Sequence, residues 1–142
     1  MTPQEKTELY EMLLHRSNRP GTFTAVNGLR VTSVGDGCAQ GEADLTDAHL
    51  NPLGIVHGGV YSTMMDQVAG AAACSRGSMC RTVDCEVRFF APAAGTKIYS
   101  HAQAIRMGRS ITVMRAWVTD EAGMTCAEGT YTFRMKEGFP QD

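Results

Sequence analysis

Apolar and polar residues alternate along this chain with two different periods, and the changes of period divide it into elements. Leu9, Met12 and Leu13 recur at helical spacing behind Thr2-Pro3-Gln4-Glu5, which reads as a capping box with proline at the first helical position. A short helix is predicted over 3–15, ended by Pro20-Gly21. From Val26 onward the period becomes two. Leu29 and Val31 alternate with Arg30 and Thr32, and Ala39, Gly41, Ala43 and Leu45 alternate with Gln40, Glu42 and Asp44, with Gly35-Asp36-Gly37 between them as a hairpin turn. A loop over 46–56 leads into one long helix, 57–75, whose Val60, Met64, Val68 and Ala72 share a stripe. Ala69-Gly70-Ala71-Ala72-Ala73 makes that helix thin, as suits burial at close range beneath a curved sheet.

Four strands are predicted after it, over 81–91, 97–107, 111–120 and 124–135, separated by the turns Pro92-Ala-Ala-Gly95, Gly108-Arg109 and Glu121-Ala-Gly123. In the last strand Ala127, Gly129, Tyr131, Phe133 and Met135 fall on one face, with the smallest residues where a helix can press against them. Cys85 alternates with Val83 and Val87 on what reads as a packed face, so it is expected in the core. The order of helix, two strands, long helix and four strands predicts an α+β fold, one antiparallel sheet around a central helix.

Composition narrows the function classes. At 142 residues, 43% hydrophobic and 20% charged, with a net charge of −2, the chain has the make-up of one soluble globular domain. No basic arm points to a nucleic-acid partner, and the longest weakly apolar run, 68–74, is too short to span a bilayer. Without a signal-like N-terminus, a cytoplasmic location and no membrane partner are expected. The five cysteines, Cys38, Cys74, Cys80, Cys85 and Cys126, form no C-x-x-C pair and are expected as buried reduced thiols. The four histidines, His15, His49, His57 and His101, lack ligand spacing, so no metal is expected, and no cofactor motif appears.

The chemistry concentrates in Asn51-Pro-Leu-Gly-Ile-Val-His57-Gly58-Gly59 and in Asp66, one acid on a helix of small apolar residues. Gly58 and Gly59 stand where the helix begins, so backbone N–H groups and the positive end of the dipole are expected to face a ligand and to hold an oxyanion. A carboxylate in such apolar company needs a partner or a chemical purpose. Asn51 can instead simply cap its loop, and the His57 ring can orient that loop rather than transfer protons. Arg76, Arg81, Arg106 and Arg109 can bind phosphates or stand as solvated turn residues.

Taken together, Asn51…Gly54-x-x-His57-Gly58-Gly59, Asp66 followed by Ala69-Gly70, Thr82-Val83-Asp84, Phe89-x-Ala91-Pro92 and Gly108-Arg109 resemble the hotdog-fold acyl-CoA thioesterases, particularly the small phenylacetate-pathway type. The resemblance covers about residues 26–135. It implies a hotdog fold of five to six antiparallel strands wrapped around the long helix, in a homodimer or a dimer of dimers. It further implies hydrolysis of acyl- or aryl-CoA thioesters, with the oxyanion held at Gly58, attack driven by Asp66, water or substrate oriented by Asn51 and the nucleophile contacted by Thr82. His57 joins this catalytic set, while Gly59, Arg81, Arg106 and Arg109 are the expected substrate-binding residues. Two other readings stay open at this point: a hydratase or dehydratase acting on acyl thioesters, in which His57 would supply the imidazole, and a non-catalytic acyl-CoA-binding module.

Overall fold

The computed structural model describes residues 1–140. Helix α1 (Pro3–Ser17) begins with the expected capping box: Glu5 N–H donates to Thr2 Oγ1 at 3.1 Å, and Thr2 N–H donates to the Glu5 carboxylate at 2.6 Å. A one-turn helix α2 (Phe23–Val26) precedes the hairpin of β1 (Arg30–Gly35) and β2 (Cys38–Asp44). A 3-10 turn (Asp47–His49) then leads to α3 (Gly58–Ala73), a second 3-10 turn (Cys74–Arg76), and the strands β3 (Ser78–Phe89), β4 (Lys97–Met107), β5 (Ile111–Asp120) and β6 (Thr125–Glu137).

Several boundaries differ from the sequence expectation: α1 reaches Ser17 rather than His15, β3 runs Ser78–Phe89 rather than 81–91, and β6 runs Thr125–Glu137 rather than 124–135. Val26 closes α2 rather than opening a strand, because Val26 N–H reaches the Thr22 carbonyl at 2.9 Å and Asn27 N–H reaches that of Phe23 at 3.2 Å. The long helix stops at Ala73 rather than Ser75. Its last turn tightens to 3-10 and is ended by Gly77 at φ 90°, a conformation that favours glycine.

All six strands join one sheet in the order β1-β2-β4-β5-β6-β3, antiparallel throughout. Only the second 3-10 turn separates α3 from β3, which nevertheless lies at the far edge, beside the last strand. Helix α3 packs against all six strands on the inner face of the sheet. Met64, Met65, Val68 and Ala72 meet Ile98, Met114, Val118, Tyr131 and Phe133 in a closed core. At Gly41 a Cβ would stand 3.0 Å from the Val68 side chain and 2.6 Å from the Ser100 hydroxyl, so the bare strand backbone there lets Val68 of the helix pack directly on the sheet. Gly129 serves a different neighbour from the one expected. A Cβ there would meet β3, at the Glu86 carbonyl and Val87, and the Tyr131 ring, rather than the helix.

The expected inner face of β6 is buried at Ala127, Gly129, Tyr131, Phe133 and Met135. In β3, by contrast, residues 81–86 are exposed on both faces. Cys85 is therefore not a core residue. It does point to the helix side, opposite Tyr131, but the edge of the sheet lies beyond the cover of α3. Cys38 is exposed as well, Cys80 is half-buried, and only Cys74 and Cys126 fit the expectation of buried thiols. Among the described residues no helix is long and apolar enough to cross a membrane.

Candidate active site

The N-terminus of α3 is held in place by a loop that satisfies its own backbone. Asn51 Oδ1 accepts N–H groups from Leu53 at 2.9 Å and Ile55 at 3.4 Å, while Asn51 N–H donates to the Ile55 carbonyl at 2.8 Å. The Asn51 side-chain oxygen thus braces the turn, leaving its amide N–H groups without a partner among the described residues. Buried His49 anchors the same loop from behind. Its Nδ1 accepts the Thr46 N–H at 3.0 Å, so Nε2 carries the proton and donates to the Asn27 carbonyl at 2.6 Å. The His49 carbonyl then accepts His57 N–H at 2.9 Å, fixing the residue at which α3 begins.

His57 is the N-cap of α3, and its Nδ1 accepts the Gly59 N–H at 2.8 Å. This corrects the expectation that both glycine N–H groups face a ligand, because the ring spends that of Gly59 on capping. Gly58 N–H alone has no partner among the described residues, and the helix dipole adds to its attraction for an oxyanion. The Phe89 ring lies over this position: a Cβ on Gly58 would stand 3.3 Å from it. Beside these groups, a cavity of about 310 Å³ is lined by Phe23, Leu29, Leu50, His57, Gly59 and Val60.

Two turns further along α3, half-buried Asp66 accepts a hydrogen bond at Oδ1 from the Thr82 hydroxyl at 2.7 Å. Thr82 lies on the inner side of β3, opposite Phe133, and a break in register follows between Thr82 and Asp84. Asp66 and Thr82 line a second, open cavity of about 340 Å³ whose walls include Leu13, Cys80, Phe133 and Phe139. Gly58 and Asp66 do not meet within one chain. Eight positions on a straight helix separate them by roughly 12 Å.

The expected phosphate-binding arginines lie elsewhere. Arg81 and Arg106 are on the outer face of the sheet, and Arg109, in the β4–β5 turn, is 91% exposed and 3.7 Å from Glu137. Arg81 stands directly opposite Arg134, and Lys136 follows on the same face, around a cavity of about 260 Å³. Cross-strand like charges are unfavourable unless an anion or solvent screens them. Arg134 and Lys136 escaped the sequence reading because the register that brings them beside Arg81 joins segments more than fifty residues apart. His49 escaped it too, although the Thr46-x-x-His49 spacing was a signal for its capping role.

Residues 53–127 match the family model of the Thioesterase superfamily, a segment that contains His57, Gly58, Asp66 and Thr82. Human acyl-coenzyme A thioesterase 13 is 26% identical over 131 residues, covering 89% of this chain and 94% of that protein. A thioesterase family protein from Silicibacter pomeroyi superposes with a TM-score of 0.81 at 26% identity, over 91% of this chain and 99% of the other. The E. coli PaaI protein, from the phenylacetic acid degradation operon, shares the fold with a TM-score of 0.85 at 19% identity, over 92% and 96% of the two chains. A sheet wrapped around one long helix, the match over its central half and these likenesses agree: the chain has the hotdog fold and belongs to the thioesterase superfamily.

Proposed function

We propose that this protein hydrolyses acyl- or aryl-CoA thioesters to the free acid and coenzyme A. The observation that carries this reading is the Gly58 N–H, left open at the head of α3 while the Gly59 N–H beside it is capped. When a nucleophile attacks the thioester carbonyl, charge moves to its oxygen, and a fixed N–H reinforced by the helix dipole stabilises that charge. Asp66, oriented by Thr82, activates water or attacks the carbonyl itself. A thiol with a pKa of roughly 8.5 leaves readily as thiolate, so no strong acid is needed on the leaving group. The Asn51 amide, whose oxygen is already committed to its turn, offers only N–H donors, toward the substrate or the attacking water. His57, with Nδ1 engaged by Gly59, serves to shape the helix terminus. Arg81 and Arg106, with Arg134 and Lys136, are the proposed contacts for coenzyme A phosphates, and Arg109 at the nearby turn extends the same basic face.

The separation of Gly58 from Asp66 is the reason for proposing a homodimer. A two-fold partner would set Asp66 of one copy opposite Gly58 and Asn51 of the other, giving two equivalent sites. The unpaired edge of β3, with Val83 and Phe89 exposed beside it, supports this arrangement. Assay of the purified protein against aryl, short and long acyl-CoAs, following free thiol, tests the reading. Release of thiol is expected. A change in enoyl absorbance with the thioester intact would instead establish the hydratase alternative, and saturable binding without turnover would establish a binding module.

A further inference from the structure

The cavity beside Asp66 contains a feature that thioester hydrolysis does not use. Cys74, in the 3-10 turn after α3, and Cys80, on β3, place their sulfurs 3.5 Å apart, and both line the cavity with Asp66 and Thr82. Cys80 S–H also donates to the Gly70 carbonyl at 3.5 Å. Cys80 lies two residues before Thr82, the side chain that holds the Asp66 carboxylate.

The geometry points to Cys74 and Cys80 as a reversible modification site, a dithiol that hydroperoxides oxidise to an internal disulfide and that thereby shifts the Thr82–Asp66 contact. The effect on turnover rests on the thioesterase reading; the disulfide itself does not. In the first step one thiol attacks the terminal hydroperoxide oxygen, giving a sulfenic acid and an alcohol, or water from hydrogen peroxide. The neighbouring thiol then displaces hydroxide from that sulfur, forming the S–S bond and releasing water. Two thiols are oxidised and one O–O bond is reduced, so electrons balance.

The surroundings favour this sequence. The hydrogen bond between the two thiols lowers Cys74 below its ordinary range, against the opposing effect of burial. That same bond, then burial and the neighbouring Cys74 and Asp66 charges, push Cys80 upward, and the 3.5 Å between the sulfurs lets either thiol resolve a sulfenic acid formed on the other. Bonded sulfurs stand at about 2.05 Å, so closure draws them together by roughly 1.5 Å. That movement removes the Cys80 bond to Gly70 and pulls on β3 just ahead of Thr82. Gly77, already at φ 90°, lies within the ring that closes and supplies its turn.

The test uses the full chain carrying Cys38→Ser and Cys85→Ser, which removes both exposed thiols. After a brief treatment with a small excess of hydrogen peroxide and its removal, the protein is alkylated under denaturing conditions and weighed intact and as peptides. The expected result is the loss of two hydrogens, alkylation at Cys126 alone, a peptide linking Cys74 to Cys80, and full reversal by dithiothreitol. Acyl-CoA turnover, followed by thioester absorbance, should fall by about tenfold or more, within the ~10²-fold that a displacement of about 1 Å can cost. In Cys74→Ser and in Cys80→Ser the ratio of treated to untreated activity should stay near one. Sulfinic acid on either cysteine, or both remaining alkylatable, would overturn the site. A linked peptide with undiminished turnover would overturn the coupling. If the reduced protein has no thioesterase activity, the function fails separately, and amide exchange over 80–84 decides the coupling: faster exchange in the oxidised form upholds it, and unchanged exchange overturns it.

Discussion

Strands β6 and β3 lie side by side, paired from Ser78 opposite Glu137 to Phe89 opposite Ala127, yet they live in different environments. Every inward residue of β6 from Ala127 to Met135 is buried under α3 or its neighbours, whereas β3 is exposed on both faces from 81 to 86. The packed strand builds the core. The edge strand carries Thr82 and borders Asp66, so the polar groups of the site sit where the monomer leaves its sheet unfinished. Stability and chemistry should therefore separate: changes at the edge and at the head of α3 should affect turnover, and changes under the helix should affect unfolding.

Asp66→Asn provides the sharpest break. Turnover should fall by about 10²- to 10⁴-fold with the thermal midpoint and substrate binding nearly unchanged, because shape is kept and basicity is lost. Near-normal turnover would remove Asp66 from the chemistry. Gly58→Ala should lower kcat by about 10²- to 10³-fold, more than it changes KM, the scale expected for an oxyanion donor. Because the new methyl meets Phe89 at 3.3 Å, adding Phe89→Ala distinguishes a displaced ring, where activity returns, from a blocked N–H, where it does not.

On the packed side, Gly41→Ala forces a Cβ against the Arg30 carbonyl, Ser100 and Val68. A loss of about 1–3 kcal/mol in denaturant unfolding is expected, with kcat preserved in the folded fraction. Fewer than three-quarters of the native turnovers per folded molecule would mean that the core and the site are not separable. Mixing Asn51→Ala with Asp66→Asn after reversible dissociation should restore roughly a quarter of wild-type activity, since about half the reassorted dimers are mixed and each keeps one intact site. Reassortment confirmed by mass without recovery would place the whole site within one chain.

The smallest effect concerns pH. Buried Asp120 accepts N–H groups from Ala94, Ala122 and Met124, and these bonds hold its carboxyl below the usual range. A depressed carboxyl contributes stability above its unfolded pKa and loses it as pH falls through the folded one. Asp120→Asn should therefore be less stable than wild type near neutrality, and urea midpoints should converge as pH falls below the ordinary carboxylate range. A gap that stays constant through that fall would show that the charge is not what matters.

Local patterning determined much of this protein. The capping box of α1, the Gly35-Asp36-Gly37 hairpin, the bounds of β4 and β5, the inward face of β6 and the start of α3 at His57-Gly58 are all set by residues close in sequence. Helix capping, turn conformation and side-chain period act over a few residues, and a sequence displays them directly. Tertiary structure decided what depends on neighbours distant in the chain. It sent β3 to the sheet edge, which exposed Cys85 despite its apolar alternation, and it placed Arg134 beside Arg81. It brought Thr82 to Asp66 and Phe89 over Gly58. Periodicity tells which way a side chain faces along its own strand, but burial and pairing depend on what lies across from it, and only the order of strands in the sheet fixes that.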